Sequence, residues 1–220
     1  VCSSDLGIAA PRHITMRNPV LTELSDIADR VANELGFPCF VKPANMGSSV
    51  GVSRVEQPEL LSDAIAEALS FDSTILIEEA IHGREIEVAI LGNDDPIAFA
   101  PGEVIPADAF YSYADKYLNG NSTVQIPADL PPLVAGNICE LAIKAFETLG
   151  CSGLARCDFF YEEPGRGILF NEINTMPGFT PISMYPKMVI ASGMSYSSLV
   201  DRLIELALER HSVRVRNTSR

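Results

Sequence analysis

Four polar side chains stand at strand spacing towards the carboxy-terminal end of this 220-residue chain: Arg156, Asp158, Glu172 and Asn174. Apolar alternation over 154–161 and 167–174 flanks Glu162-Glu163-Pro164-Gly165-Arg166, a turn signal, so the stretch predicts a β-hairpin. Every second side chain of a strand shares a face. Arg156 and Asp158 therefore lie on one side of the first strand, and Glu172 and Asn174 on one side of the second. A turn centred on Gly165 sets Asp158 opposite Glu172 and Arg156 opposite Asn174. Two carboxylates at ~4 Å repel by about 4 kcal/mol at an effective dielectric of about 20, so a cation is required between them. Asp158, Glu172 and Asn174 make a hard, incomplete oxygen cage of the kind that takes Mg²⁺ and leaves positions for phosphate oxygens and water. A solvated polar face on an antiparallel sheet is the better reading for an arbitrary Asp–Glu pair. Against it, N-T-M-P-G at 174–178 is a tight turn that presents backbone N–H groups beside the carboxylates.

The remaining composition limits the partners of such a site. With 47% hydrophobic and 20% charged residues the chain is globular, and it is long enough for one large or two modest domains with a buried core. A formal net charge of −13 argues against nucleic acid or an anionic membrane as partner, since both demand basic surface. A polyanionic ligand must then be met by a few placed cations and by metal. Lys42, Lys116, Lys144 and Lys187 are the only lysines, and Lys42 and Lys116 stand in polar, loop-like contexts. The cysteines are odd in number and lack metal-ligand spacing, which predicts reduced thiols and a cytoplasmic location, with Cys157 in the core. No apolar run reaches the ~18 residues of a membrane span, and no signal peptide is visible.

The first six residues lack periodicity, and ordered chain is expected from Gly7. Helical periodicity over 19–35 stops at Gly36. Residues 37–43 predict a short strand carrying Lys42. A small, polar, glycine-bearing loop, 44–52, could then bring backbone N–H groups to an anion before a strand over 50–55. It is not a Walker A loop, because the lysine precedes the glycines and a strand follows. A plain hairpin turn is the simpler alternative. A helix over 57–69 leads to a strand over 74–80 ending in Glu78-Glu79, and a strand over 84–91 carries Glu85 and Glu87 on one face. Short strands over 97–100 and 103–105 precede a polar, tyrosine-rich stretch, 107–125, of the length that usually makes a lid. Helices are expected over 131–149, closed by Gly150, over 181–192 and over 195–210, and disorder after His211. The expected fold class is α+β, with lobes over 1–80 and 81–213, a cleft between them and a tail over 214–220.

Five motifs, in this order, resemble the ATP-grasp ligases, and among them the D-alanine-D-alanine ligases. They are V-K-P-A-N-M-G-S-S-V-G-V (41–52), I-L-I-E-E-A-I-H-G-R-E-I-E-V-A-I-L-G (75–92), Y-A-D-K-Y (113–117), A-R-C-D-F-F (155–160) and F-N-E-I-N-T-M-P-G-F-T-P-I-S-M-Y-P (170–186). The resemblance covers 7–210. It implies an ATP-grasp fold and an ATP- and Mg²⁺-dependent ligation for peptidoglycan precursor synthesis, in which the carboxylate of one D-alanine becomes an acyl phosphate and the amine of a second displaces the phosphate. By motif position, Lys42 would contact the α- and β-phosphates, and Ser48 and Ser49 would cover the triphosphate, Ser48 with a part in catalysis. Glu78, Glu79 and Ile81 would line the adenine, Glu85 would take the ribose hydroxyls, and Asn171 would be a further nucleotide contact. Lys116 would approach the γ-phosphate from the lid. Asp158, Glu172 and Asn174 would hold two Mg²⁺ ions, with Mn²⁺ as an alternative. Arg156 and the Gly178 N–H would stabilise charge on the acyl phosphate and the tetrahedral intermediate. Ser183 and Met184 would hold the second amino acid, and Tyr117 would favour an amine over a hydroxy-acid acceptor. The whole protein would be a homodimer.

Members of that family carry an additional amino-terminal domain with much of the first D-alanine site, and a lysine just before the equivalent of Gly7-Ile8. The chain reads as the two lobes that follow, expected to fold and to bind Mg-ATP weakly without making dipeptide efficiently unaided. Among enzymes the rivals are another ATP-grasp carboxylate–amine ligase and a D-alanine-D-lactate ligase. A non-catalytic nucleotide-binding module has no need of Arg156 with the full Asp158, Glu172 and Asn174 set, and a structural protein would leave the opposed carboxylates without purpose.

Overall fold

Strand alternation divides this chain into buried and working faces twice over, once in each of two antiparallel sheets. The structure, a computed structural model, describes residues 7–19, 24–105 and 123–218. These fall into two compact units: Pro11–His82, and a second made of 7–10, Gly83–Ile105 and 123–218. Residues 7–10 go with the second because Phe170 N–H donates to Ala9 O (2.8 Å) and Ile8 is buried in that unit's core.

The first unit comprises β1 (His13–Arg17), α1 (Leu24–Glu34), β2 (Cys39–Pro43), β3 (Ser53–Val55), a 3-10 turn (Pro58–Leu60) running into α2 (Leu61–Leu69), and β4 (Thr74–Glu79). Its sheet has the order β1-β4-β2-β3. Gly36, at φ +81°, closes α1 by donating its N–H to Val31 O (2.9 Å), the stop that the sequence predicts. One face of the sheet, with Cys39, Val41, Ile75 and Ile77, is buried against Val31, Leu61 and Ile65. The other, with Phe40, Lys42, Leu76 and Glu78, is half-buried.

The second unit comprises β5 (Arg84–Gly92), β6 (Ile97–Ala98), β7 (Gly102–Ile105), β8 (Thr123–Gln125), α3 (Pro132–Thr148), β9 (Gly153–Glu162), β10 (Gly167–Asn174), α4 (Met184–Ala191) and α5 (Tyr196–Thr218). The strand order is β10-β9-β5-β7-β8, with β6 also paired to β5. Ile86, Val88, Cys157 and Phe159 face one way and pack on Ile138, Ala142 and Phe146 of α3. Phe159 meets Phe170 edge-on at 5.5 Å, an arrangement that contributes about 0.5–1.5 kcal/mol beyond its buried area. On the other side α4 is tied to the sheet by Tyr185, whose hydroxyl donates to Ile90 O (2.9 Å).

Several boundaries differ from expectation, each for a local reason. Ser48 and Ser49 adopt φ of +57° and +59° and Gly51 +70°, so the turn runs on and the strand begins at Ser53, not at residue 50. A Cβ at Gly51 would stand 2.6 Å from Phe71 Cδ2, which reserves this position for glycine. Residues Thr123–Gln125 pair with β7 as a strand and are not part of a lid; the rest of the proposed lid, 107–122, lies outside the described residues. Helix α4 starts at Met184, not 181, behind Ser183 at the N-cap. Helix α5 continues to Thr218 where disorder is expected after His211, because 211–218 holds neither glycine nor proline to stop it. Among the described residues no helix is long and apolar enough to cross a membrane.

Burial pushes the Cys39 thiol up to about 11. An unfolded thiol titrates at about 8.5, so between these values the unfolded chain releases a proton that the folded chain keeps. The associated stability is whole below the lower value and is lost as pH rises through the upper one. Urea unfolding of the wild type and Cys39→Ala should therefore show a stability gap at neutral pH that narrows at pH ~10. An unchanged gap would contradict this.

Candidate functional site

The hairpin of β9 and β10 places its charges by a register with one irregularity. Next to the turn Glu162 pairs with Gly167 and Phe159 with Phe170. Continued unbroken, this register would set Asn171 opposite Asp158 and turn Glu172 to the core face beside Cys157. A bulge between Phe170 and Glu172 absorbs Asn171. Glu172 then lands opposite Asp158, and Asn174 opposite Arg156, the pairing that the sequence predicts.

Strand β5 flanks β9 on its other side and sets Glu87 opposite Asp158 and Ala89 opposite Arg156. Glu87, Asp158 and Glu172 thus form a row across three adjacent strands, with Arg156 one step along. Arg156 Nε donates to Asp158 Oδ1 (2.7 Å), its Nη2 donates to Asp158 Oδ2 (2.6 Å), and its Nε lies 3.2 Å from Glu87 Oε2. Burial opposes the guanidinium's charge, but Asp158, then Glu87 and Glu172, outweigh it and hold its pKa above the ordinary value. Like charges directly opposite each other destabilise a sheet. Part of the positive charge that the sequence reading requires among these carboxylates is Arg156 itself. Three carboxylates against one guanidinium still leave two negative charges, the charge of one divalent ion. Asn174 Oδ1 accepts the Met176 N–H (3.0 Å), which fixes the start of the 174–178 turn and leaves this oxygen a second lone pair. Asp158, Glu172 and Asn174 are hard oxygen donors on one face, and their chemistry fits Mg²⁺ or Mn²⁺ completed by phosphate or water oxygens. Among the described residues no three His, Cys, Asp or Glu side chains converge closely enough to hold a metal by themselves.

In the first unit, Lys42 Nζ pairs with Glu78 Oε2 at 2.6 Å on the half-buried face. The sequence reading sends Glu78 and Glu79 to one site, but adjacent strand residues face opposite ways. Glu79 is buried behind the sheet, where it accepts Arg12 N–H (2.7 Å), Nε–H (2.9 Å) and Nη2–H (2.7 Å). Arg12 Nη1 in turn donates to Glu34 O (2.7 Å) at the end of α1, so the Glu79 side chain is a structural clamp and only its backbone remains to line a ligand. Ile81 follows β4 and is half-buried. The 44–52 loop is pinned at its start by Asn45, whose backbone and side-chain N–H groups both donate to Asp72 Oδ2 (2.9 and 2.7 Å). The Thr74 N–H, then Asn45, hold the Asp72 carboxyl below its ordinary pKa. Between this pin and Gly51, Ser48 and Ser49 keep left-handed conformations, which cost roughly 1–2 kcal/mol each for residues with a Cβ.

Glu85 lies on the same face of β5 as Glu87. Gly178 and Ser183 come together, since a Cβ on Gly178 would stand 2.8 Å from Ser183 Oγ. That hydroxyl accepts Thr180 N–H (3.1 Å) and bonds Thr180 Oγ1 (2.9 Å) without capping α4. Met184 is buried with its Cε over Gly102, so its side chain belongs to the packing and only its backbone could meet an amino acid. Lys116 and Tyr117 lie outside the described residues. Glu87 was missed as a partner of Arg156, because which strand flanks β9 is a long-range fact.

A profile of the family described as D-ala D-ala ligase C-terminus matches residues 2–205. The D-alanine–D-alanine ligase of Chlorobaculum tepidum is 47% identical over 219 residues, covering 97% of this chain and 59% of that protein. D-alanine–D-alanine ligase B of Clostridium tetani is 54% identical over 175 residues, covering 80% of this chain and 49% of that protein. Among solved structures, the D-alanine-D-alanine ligase from Coxiella burnetii superposes with a TM-score of 0.85 at 37% identity, over 98% of this chain and 56% of that one. VanG D-Ala:D-Ser ligase from Enterococcus faecalis does so with 0.81 at 35%, over 92% and 58%. The chain spans between 49% and 59% of the length of these relatives.

If the negative charge that Arg156 leaves uncompensated makes Glu172 repel Asp158 until a divalent ion arrives, Glu172→Gln should stabilise the metal-free chain by up to about 1 kcal/mol. Added Mg²⁺ should raise the melting temperature of the wild type and leave the variant unmoved. Thermal unfolding with EDTA and with Mg²⁺ checks both, and a variant less stable in EDTA would contradict the account.

Proposed function

For a chain that belongs to the family of D-ala D-ala ligase C-terminus domains and has the ATP-grasp fold, we propose the ATP- and metal-handling part of a D-alanine–D-alanine ligase. The observation that carries the reading is the Asp158–Glu172 register with Arg156 held alongside. Phosphoryl transfer to a carboxylate asks little covalent chemistry of a protein; it asks for placement and for charge neutralisation. In the first unit, Lys42 supplies a positive charge for phosphate oxygens once it shares or leaves Glu78, and the strained Ser48-Ser49 turn offers backbone N–H groups. Glu78 and the backbone at 79–81 line the adenine, and Glu85 takes the ribose.

In the second unit, Asp158, Glu172 and Asn174 would hold the divalent metal, two ions on this reading, with Asn171 nearby as a nucleotide contact. When bound, that metal neutralises charge on the transferring phosphoryl group. Arg156 is already charged, half-buried and clamped, so it meets the negative charge of the acyl phosphate and of the tetrahedral adduct without having to reorganise. The Gly178 N–H adds a second donor there, and the 178–184 turn with Ser183 positions the acceptor amino acid. Lys116 and Tyr117 belong to the same reading, as γ-phosphate contact and acceptor selector. A cytoplasmic homodimer serving peptidoglycan precursor synthesis completes it.

The test is phosphate release from ATP by the 220-residue chain and by the full-length protein that carries it, with D-alanine, D-serine and D-lactate as acceptors. Release dependent on D-alanine and accompanied by dipeptide is expected, most strongly at full length. Arg156→Ala should lower turnover by about 10²–10³-fold, the loss typical of one oxyanion donor, while ATP binding stays near the wild-type value. Near-normal turnover in this variant would remove Arg156 from the mechanism, and phosphate release indifferent to any amino acid would overturn the ligase reading.

A further inference from the structure

Beside Arg156 stands a buried carboxylate to which the ligase reading assigns nothing. Glu87 is 8% exposed, and its Oε2 lies 3.2 Å from Arg156 Nε. Resting on the metal-dependent reading above, we propose that Glu87 is a positioning residue that keeps Arg156 in place when Asp158 turns its charge to a divalent ion.

Two cations compete for Asp158. Both of its oxygens are engaged by Arg156, at 2.7 and 2.6 Å, and the same oxygens are wanted by the ion. A carboxylate shared between a guanidinium and a doubly charged ion loosens its hold on the former. The Arg156 and Asp158 side chains are only 18% and 13% exposed, and withdrawing one partner from an ion pair so largely shielded from water is unfavourable. A guanidinium with no other anchor would swing towards water at the moment its charge is needed.

Glu87 supplies that anchor by its place in the sheet. It faces Asp158 from β5, on the opposite flank of β9 from Glu172. Strands are spaced about 4.8 Å apart, so the β5 and β10 backbones that bear Glu87 and Glu172 stand roughly 10 Å apart. This agrees with the lack of three converging acids among the described residues. Glu87 is therefore not a third ligand to an ion held between Asp158 and Glu172, and its charge stays with Arg156 when such an ion binds. On its other flank β7 presents Gly102, with Met184 Cε above it, so that side of the carboxylate is apolar.

The experiment is proton exchange at the Arg156 Nε–H, followed by NMR of the chain without metal and with saturating Mg²⁺; the Asn174 side-chain amide signals report independently whether the ion is bound. In the wild type Arg156 should stay protected in both conditions. In Glu87→Gln, which keeps the shape and loses the charge, it should be protected without metal and exchange at least about tenfold faster with Mg²⁺, as hydrogen exchange follows the population of the open form. Glu87→Asp, too short to reach, should behave like Glu87→Gln, and Glu85→Gln, on the same face, like the wild type. Moving Asn174 signals with Arg156 still protected in Glu87→Gln would overturn the role of Glu87 and leave the metal reading standing. Asn174 signals that stay put in every protein would sink both. Should Glu87→Gln not fold, loss of protection in the wild type on adding Mg²⁺ suffices to refute the proposal.

Discussion

A row of three carboxylates in direct register across neighbouring strands is held together by one guanidinium, and the site in the second unit depends on that balance. Glu87, Asp158 and Glu172 come from three different strands, and Arg156 reaches two of them. The sheet can keep such a row because its opposite face is an apolar core against α3, so the strands cannot slip by one residue without burying the charges. The bulge at Asn171 belongs to the same constraint. Without it the turn geometry would drive Glu172 into that core, where an unpaired charge is far more costly than a repelled one at the surface.

The first unit uses the same alternation to divide two neighbouring glutamates. Glu78 meets Lys42 on the half-buried face, while Glu79 ties Arg12 and the end of α1 to the back of the sheet. One carboxylate thereby stays on the half-buried face, and the other is committed to the fold. The loop at 44–52 shows a related division of labour. Its ends are fixed, by Asn45 on Asp72 and by Gly51 against Phe71, while Ser48 and Ser49 between them hold left-handed conformations in a turn where Val50 N–H donates to Gly47 O (3.1 Å) and Val52 N–H to Ser49 O (3.4 Å).

What was legible in the sequence was local. Periodicity, glycine stops and alternation located α1, α3 and the β9–β10 hairpin, and like charges at matched positions singled out Asp158 and Glu172, because these signals act within a few residues. What was not legible was non-local or a matter of degree. That β5 lies beside β9, making Glu87 a neighbour of Arg156, depends on pairing across some seventy residues of sequence. The burial of Met184 over Gly102, and the side of the sheet on which Glu79 ends, follow from packing that no single segment encodes. The course of α5 to Thr218 departs from the disorder expected after His211, since no glycine or proline there breaks the helix.

The central claim is that the negative charge left over by Arg156 is what holds a divalent ion on the hairpin. Titration of the 220-residue chain with Mn²⁺, with the free ion followed by electron paramagnetic resonance, measures that directly. The account predicts saturable binding that Asp158→Asn abolishes and Glu85→Gln leaves intact. Equal binding by the wild type and Asp158→Asn would contradict it.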